Sequence, residues 1–323
     1  MKHTTLLATL ALSLALLTGC ATSSQQEPST PINPEIATPE VTTPETITPT
    51  TGEDRMGRSY ILPTSTEKIM SLAPSNTEIL IGLGLGDSLA VVDSYSSLLE
   101  GVPETAMVVD LQVPDMEALL LAECDLVVSS EINLAGGDDP YTPLSDAGVS
   151  VVYLPSATSF DDIYADILFL GEVTQTSEKA QEMVQEMQTR LETVTQTVAE
   201  LEPKTLYFEI SPAPYLFTVG EGTFLAEAIT MAGGVNLFAD QFGWISPSEE
   251  DVLTRNPQII ITNATYMEDP VGEILSRSTW SAMDAISGGE VYLVDGDLTS
   301  RSSQHIVLAV EEMAKILHPE AFA

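Results

Sequence analysis

Few residues in this chain could do chemistry, and most of those are aromatic. Of its three histidines, His3 lies at the extreme N-terminus, His318 stands beside Pro319, and His305 opens the last predicted helix. One lone His cannot supply a nucleophile–base pair, and no Gly-x-Ser-x-Gly elbow occurs. An enzyme is therefore not expected. A bare zinc or manganese ion needs several His with carboxylates, so no protein metal site is expected either. Tyr95, Tyr215, Phe217 and Trp244 remain, each in a loop beside a predicted strand or helix. Such loops are where α/β lobes take ligands, and an aromatic face offers large contact area at low entropic cost. Core packing is the competing reading for each of the four. Beyond residue 203 only one basic side chain, Arg301, falls in a loop that could face a ligand.

These loops need elements to hold them. In residues 176–203, apolar side chains recur at Ala180, Met183, Val184, Met187, Leu191, Val194, Val198 and Leu201, the spacing of one helix face. Thr176 or Ser177 can cap its start, and Pro203 stops it. At about 1.5 Å per residue this strut is roughly 39 Å long. A coiled-coil segment is the alternative, weakened by the absence of flanking heptads. On both sides, predicted strands alternate with helices, which argues for two α/β lobes. Ser75 with Glu78 three residues on has the spacing of a capping box at one helix start. The Gly-Leu-Gly-Leu-Gly-Asp string follows that helix instead of opening one, so its glycines read as turns and not as a dinucleotide loop. PDMEALLLAECDLVVS, from Pro114, aligns without gaps on PSEEDVLTRNPQIIIT, from Pro247, placing Glu117 on Glu250. Each copy reads as a short helix and then a buried strand. Packing explains the matched apolar residues but not the matched glutamates.

Composition sets further limits. Eleven Lys and Arg face 48 Asp and Glu, a net charge of -37. Nothing here could neutralise a run of phosphates, so nucleic acid is excluded as a partner. Residues 1–20 pair an early Lys2 with a short apolar run and end in Leu17-Thr18-Gly19-Cys20. That ending resembles a bacterial lipoprotein box, in which the Cys20 thiol carries lipid. An ordinary secretory signal is the alternative. The apolar run is too short for a permanent span, so lipid alone is expected to hold the chain at the membrane. Residues 21–66 repeat Thr-Pro and read as a stiff, solvated tether. Cys124 is then unpaired and reads as buried packing.

Ser71-Leu72-Ala73-Pro74-Ser75-Asn76-Thr77-Glu78, the Tyr95 loop, the two Glu helices and Ala232-Gly233-Gly234-Val235-Asn236-Leu237-Phe238 together resemble one family. It is the substrate-binding proteins of ABC importers for cobalamin, ferric siderophores and haem, and the resemblance covers residues 68–319. It implies an α/β fold of two Rossmann-like lobes, residues 67–175 and 204–323, bridged by one long helix at 176–203. The ligand then lies between the lobes, and an ABC permease dimer with a cytoplasmic ATPase is the partner of a monomeric receptor. Against the cobalamin-binding member, Tyr95 matches a ligand-contacting Tyr, Trp244 a pocket Trp and Arg301 a pocket Arg. Leu111 stands where that member has Trp. Glu117 and Glu250 fall where the family docks onto basic residues of its permease. No intrinsic cofactor is expected, only a bound metal chelate as cargo. So acidic a chain repels polyanions at long range, which favours a near-neutral corrinoid, the first choice, or a neutral hydroxamate chelate. A ferric siderophore or haem is the alternative, and a tethered sensor without a transporter a more distant one.

Overall fold

A computed structural model describes residues 50–134 and 139–323. The expected signal peptide, Cys20 and the tether up to residue 49 lie outside the described residues. The first lobe opens with two short strands, β1 (Thr51–Glu53) and β2 (Ser59–Ile61), paired antiparallel. β3 (Ile69–Ser71), helix α1 (Pro74–Gly82), β4 (Leu89–Asp93), β5 (Met107–Val109), α2 (Met116–Leu121), β6 (Leu126–Ser130), α3 (Thr142–Asp146) and β7 (Ser150–Leu154) follow. The five strands β3 to β7 form one parallel sheet in the order β5-β4-β3-β6-β7. β6 and β7 are buried almost throughout, as near-continuous apolar runs in a sheet covered on both faces must be.

Helix α4 (Phe160–Val173) leads into the strut, α5 (Ser177–Val198). Ala180, Val184, Met187, Leu191, Val194 and Val198 are buried on one stripe of it, in a core cluster shared by both lobes. Two helices meet tightly at its start, where a Cβ on Gly171 would lie 2.4 Å from that of Ala180. Farther along, Arg190 grips Glu311 through two bonds of 2.8 and 2.9 Å. The strut ends at Val198, short of residue 203, where a turn bond from Leu201 N to Val198 O at 3.0 Å replaces the helical pattern.

The second lobe holds β8 (Lys204–Glu209), β9 (Thr218–Val219), α6 (Phe224–Met231), β10 (Gly234–Asn236), β11 (Trp244–Ile245), α7 (Glu249–Arg255) and β12 (Ile259–Thr262). It closes with α8 (Pro270–Leu275), α9 (Asp284–Gly288), β13 (Val291–Leu293), α10 (Gly296–Ser300) and α11 (Ile306–Leu317). Its sheet is parallel, in the order β10-β8-β12-β13. The protein is thus an α/β molecule of two parallel-sheet lobes bridged by one long helix.

The internal match holds down to the caps. Asp115 and Ser248 are the N-caps of α2 and α7, each accepting from the backbone N–H three residues on. Leu119 and Val252 are the buried anchors of the two helices. Glu123 and Asn256 both leave their helix with left-handed backbone, φ 51° and 47°. The Asp125 side chain then accepts from Lys68 N at 2.9 Å, as Gln258 accepts from Thr205 N at 2.9 Å. Leu126 pairs with Ile69, and its counterpart Ile259 pairs with Leu206.

Two readings of the sequence need correction. The stretch 51–61, assigned to the tether, belongs to the folded body. Buried Asp54 accepts from Met56 N, Arg58 N and Tyr153 N at 2.9 Å each, pinning the hairpin to β7. Arg58 pairs with Asp139, Ser150 Oγ donates to Ile61 O, and buried Tyr60 meets Phe169 edge-on at 6.1 Å. Deleting residues 51–64 is expected to cost about 3 kcal/mol or more, by analogy with truncating one buried aromatic. Scanning calorimetry of soluble bodies starting at residues 50 and 65 checks this, and equal midpoints contradict it. The capping box at Ser75 does not form either. Ala73 is the N-cap of α1 and makes no side-chain cap bond, Pro74 takes the first helical position, and Glu78 is used elsewhere.

The hairpin also creates a pH-dependent contact. Asp166 is buried on α4 and accepts Arg55 Nε at 2.8 Å. Burial outweighs that pairing and pushes the Asp166 carboxyl up to about 6. A carboxyl raised in the folded state stabilises when protonated, so its contribution is complete below about pH 4 and is lost as pH rises through about 6. The unfolding free energy of the parent minus that of Asp166→Asn is therefore expected to fall by about 3 kcal/mol from pH 4 to pH 8. Urea unfolding across that range measures it, and a level or rising difference contradicts it.

Candidate functional site

In both parallel sheets the loops at the carboxyl ends of the strands carry the candidate residues, and one contact shows that these ends face each other. Glu78 lies on α1, just beyond the end of β3, and Arg301 follows α10, just beyond the end of β13. Arg301 Nη1 donates to Glu78 Oε1 at 2.7 Å, and Ser303 Oγ donates to the other oxygen of the same carboxylate. Gln304 Nε2 donates to Glu78 O at 2.8 Å. A second crossing lies at the side, where Glu227 of α6 accepts Phe160 N, the start of α4, at 2.8 Å.

The first lobe presents Tyr95, 70% exposed, on the loop after β4. Fully buried Asp93 holds that loop by accepting Tyr95 N at 2.9 Å and Ser96 N at 3.1 Å. The Thr77 hydroxyl lies 2.7 Å from that of Ser71 and 2.9 Å from that of Ser96. Asn76 Nδ2 donates to Ser129 O at 3.1 Å. The polar residues of the Ser71–Glu78 motif thus tie strands, loop and second lobe together beneath Tyr95. Leu111 is half-buried, leaning on the core of its own lobe.

The second lobe supplies the aromatic wall. β9 and β11 form a two-residue antiparallel ribbon, Trp244 opposite Val219. That pairing lays the half-exposed Trp244 indole over Phe217, with ring centroids 6.3 Å apart and planes at 10°. Phe224 braces Trp244 from below, edge-on at 6.0 Å. Tyr215 is 84% exposed at the tip of the loop between β8 and β9, whose ends close through Ile210 N on Phe217 O at 2.9 Å. Phe242 is exposed beside the ribbon and rests against Gly222, where φ is +75° and a Cβ would come within 2.2 Å of the ring. The structure therefore brings Phe217 and Trp244 together, sets Tyr215 on the same loop as Phe217, and places Tyr95 on the opposite lobe. Phe242, Phe224 and Glu78 were not foreseen. For Phe242, its nearness to Trp244 in sequence was the available signal.

Arg301 is not a free cation. Besides Glu78 it meets Asp297 at 2.7 Å, so two carboxylates share one guanidinium. Arg277 is spent likewise, gripping buried Glu209 at the end of β8 through bonds of 2.7 and 2.9 Å while also pairing with Glu273. Burial pushes the Glu209 carboxyl above its usual range, against the pull of Arg277. Among the described residues every arginine sits in an ion pair. Cys124 is unpaired and buried, and burial pushes its thiol up to about 11, which suits packing and not nucleophilic work. A separate cavity of 1080 Å³ beside α4 and α6 is lined by Tyr164, Glu221, Glu227 and Phe242, and by none of the aromatics singled out from sequence.

A family model described as periplasmic binding protein matches residues 69–298. The chain belongs to the periplasmic binding protein family. It is 30% identical over 324 residues to an uncharacterised ABC transporter substrate-binding lipoprotein of Bacillus subtilis (strain 168), covering 99% of both chains. It is 28% identical over 256 residues to a vitamin B12-binding protein of Yersinia pestis (strain Pestoides F), covering 78% of this chain and 86% of that one. Among solved structures, a possible iron-binding periplasmic solute-binding protein of Staphylococcus epidermidis superposes with a TM-score of 0.70. That protein shares 28% identity, over 78% of this chain and 98% of its own. This member of the family is accordingly a substrate-binding protein of an ABC transporter, working outside the cytoplasm with a permease and an ATPase. The relatives it matches are binding proteins and not enzymes. No described helix is long and apolar enough to cross a membrane.

Proposed function

We propose that this receptor captures a bulky, near-neutral metal chelate, a corrinoid such as cobalamin, between Tyr95 of one lobe and Tyr215, Phe217 and Trp244 of the other. The observation that carries the reading is the pairing of aromatic faces with the absence of a free guanidinium among the described residues. A catecholate or carboxylate siderophore brings several negative charges, and Arg301 is already neutralised by Glu78 and Asp297. Aromatic faces suit a large flat or domed chelate carrying little net charge. The vitamin B12-binding relatives support this choice of cargo. A neutral ferric hydroxamate is the second reading, favoured by the likeness to a possible iron-binding protein.

Lipid on Cys20 anchors the receptor in this proposal, no cofactor is resident, and one monomer delivers its cargo by setting Glu117 and Glu250 on the permease. The absorption spectrum and mass of whatever co-purifies with the soluble body from residue 50 onward test the cargo. A corrinoid spectrum supports the first reading. An iron–hydroxamate band or a haem Soret band replaces it.

A further inference from the structure

The helices carrying Glu117 and Glu250 are equivalent in caps, anchors and strand register, yet the surfaces around the two glutamates differ in kind. In the first lobe Val113 (77% exposed) precedes the helix and Leu121 (76%) lies one turn beyond Glu117, with Leu120 also exposed. In the second lobe Leu253 stands for Leu120 and is half-buried against the core, while the other matched positions are polar. Ser246 stands for Val113, Glu249 for Met116, Asp251 for Ala118 and Thr254 for Leu121. Glu117 is therefore the one carboxylate in the first turn of α2, following the exposed N-cap Asp115 and flanked in sequence by Met116 and Ala118, whereas the first turn of α7 carries three acids.

We infer that the two lobes engage the permease by different physics, an apolar clamp around Glu117 and an electrostatic contact around Glu250. This rests on the docking role proposed above for the two glutamates. Large exposed aliphatics on a very acidic protein are an interaction surface in waiting, and a carboxylate at their centre selects a partner segment with one basic residue among apolar ones. Covering Val113 and Leu121 excludes water from Glu117 and its partner, so that pair resists screening. Exposed acids around Glu250 act through solvent, where attraction fades beyond about 8 Å at physiological salt. A helix so matched in backbone has no folding reason to expose Leu121 where its twin exposes Thr254.

The test uses the full body and its partner permease–ATPase complex, held in lipid nanodiscs, with binding measured from 0.05 to 0.5 M salt. Val113→Ser with Leu121→Thr makes the first face resemble the second. It is expected to weaken docking about tenfold or more and to steepen its salt dependence, with ligand affinity and thermal midpoint unchanged. The reverse exchange, Ser246→Val with Thr254→Leu, is expected to flatten the salt dependence. If Glu117→Ala with Glu250→Ala abolishes docking while Val113→Ser with Leu121→Thr leaves it at the parent level, the inference is overturned and the docking role stands. Should the double Glu variant dock normally, both fall. Loss of binding to protein-free nanodiscs in the Val113 and Leu121 variant assigns the patch to lipid and likewise overturns the inference.

Discussion

Replacing Glu117 and Glu250 together by Ala is expected to abolish uptake while leaving ligand affinity unchanged. Both carboxylates are exposed in the first turn of helices that stand at the same place in each lobe. In a parallel α/β unit that turn lies at the carboxyl edge of the sheet, so each Glu stands at the rim of the cleft and not within it. A receptor with one carboxylate on each rim can take an Arg from each half of a dimeric channel, and bidentate pairing fixes the register. Among the described residues neither Glu has an ion-pair partner whose loss would unsettle the fold. Uptake of labelled cargo by cells carrying the double variant measures this. Normal uptake contradicts the docking role.

Trp244→Ala is expected to weaken ligand binding by roughly 30-fold or more, about 2 kcal/mol, the usual loss for a buried aromatic anchor. The indole is the upper surface of a stack that rests on Phe217 and Phe224, so its truncation removes the platform and not only one contact. Tyr95→Ala acts on the opposite lobe and is expected to lose a similar factor. A circular dichroism spectrum matching the parent separates lost binding from lost folding. Parent-like affinity in both variants places the pocket elsewhere, and the cavity holding Tyr164, Glu227 and Phe242 becomes the next candidate.

What could be read from sequence was whatever repeats at short range. The strut declared itself because Ala180 to Val198 follow one helical stripe, and burial follows the same stripe. The two Glu helices declared themselves because cap, anchor and strand recur at one spacing. What escaped depends on partners far along the chain. The 51–61 hairpin has only three-residue strands, and its order comes from Tyr153, Asp139 and Asp166, about one hundred residues away. Glu78 has the spacing of a capping residue, and only the fold reveals that Arg301, 223 positions on, claims its carboxylate. The Trp244 ribbon is two residues long, too short for any alternation to register, so the sequence shows Trp244 ahead of a helix but not in a strand. Arg301 was legible as a loop cation. Its neutralisation by Glu78 and Asp297 was not, and that neutralisation now argues most strongly against a polyanionic cargo.

Isothermal titration of the soluble body from residue 50 with cyanocobalamin, cobinamide, a ferric hydroxamate, a ferric catecholate and haem tests the central claim most directly. Tight binding of a corrinoid, with no heat from the catecholate, is the predicted result. Tight binding of the anionic catecholate, or of none of the five, contradicts it.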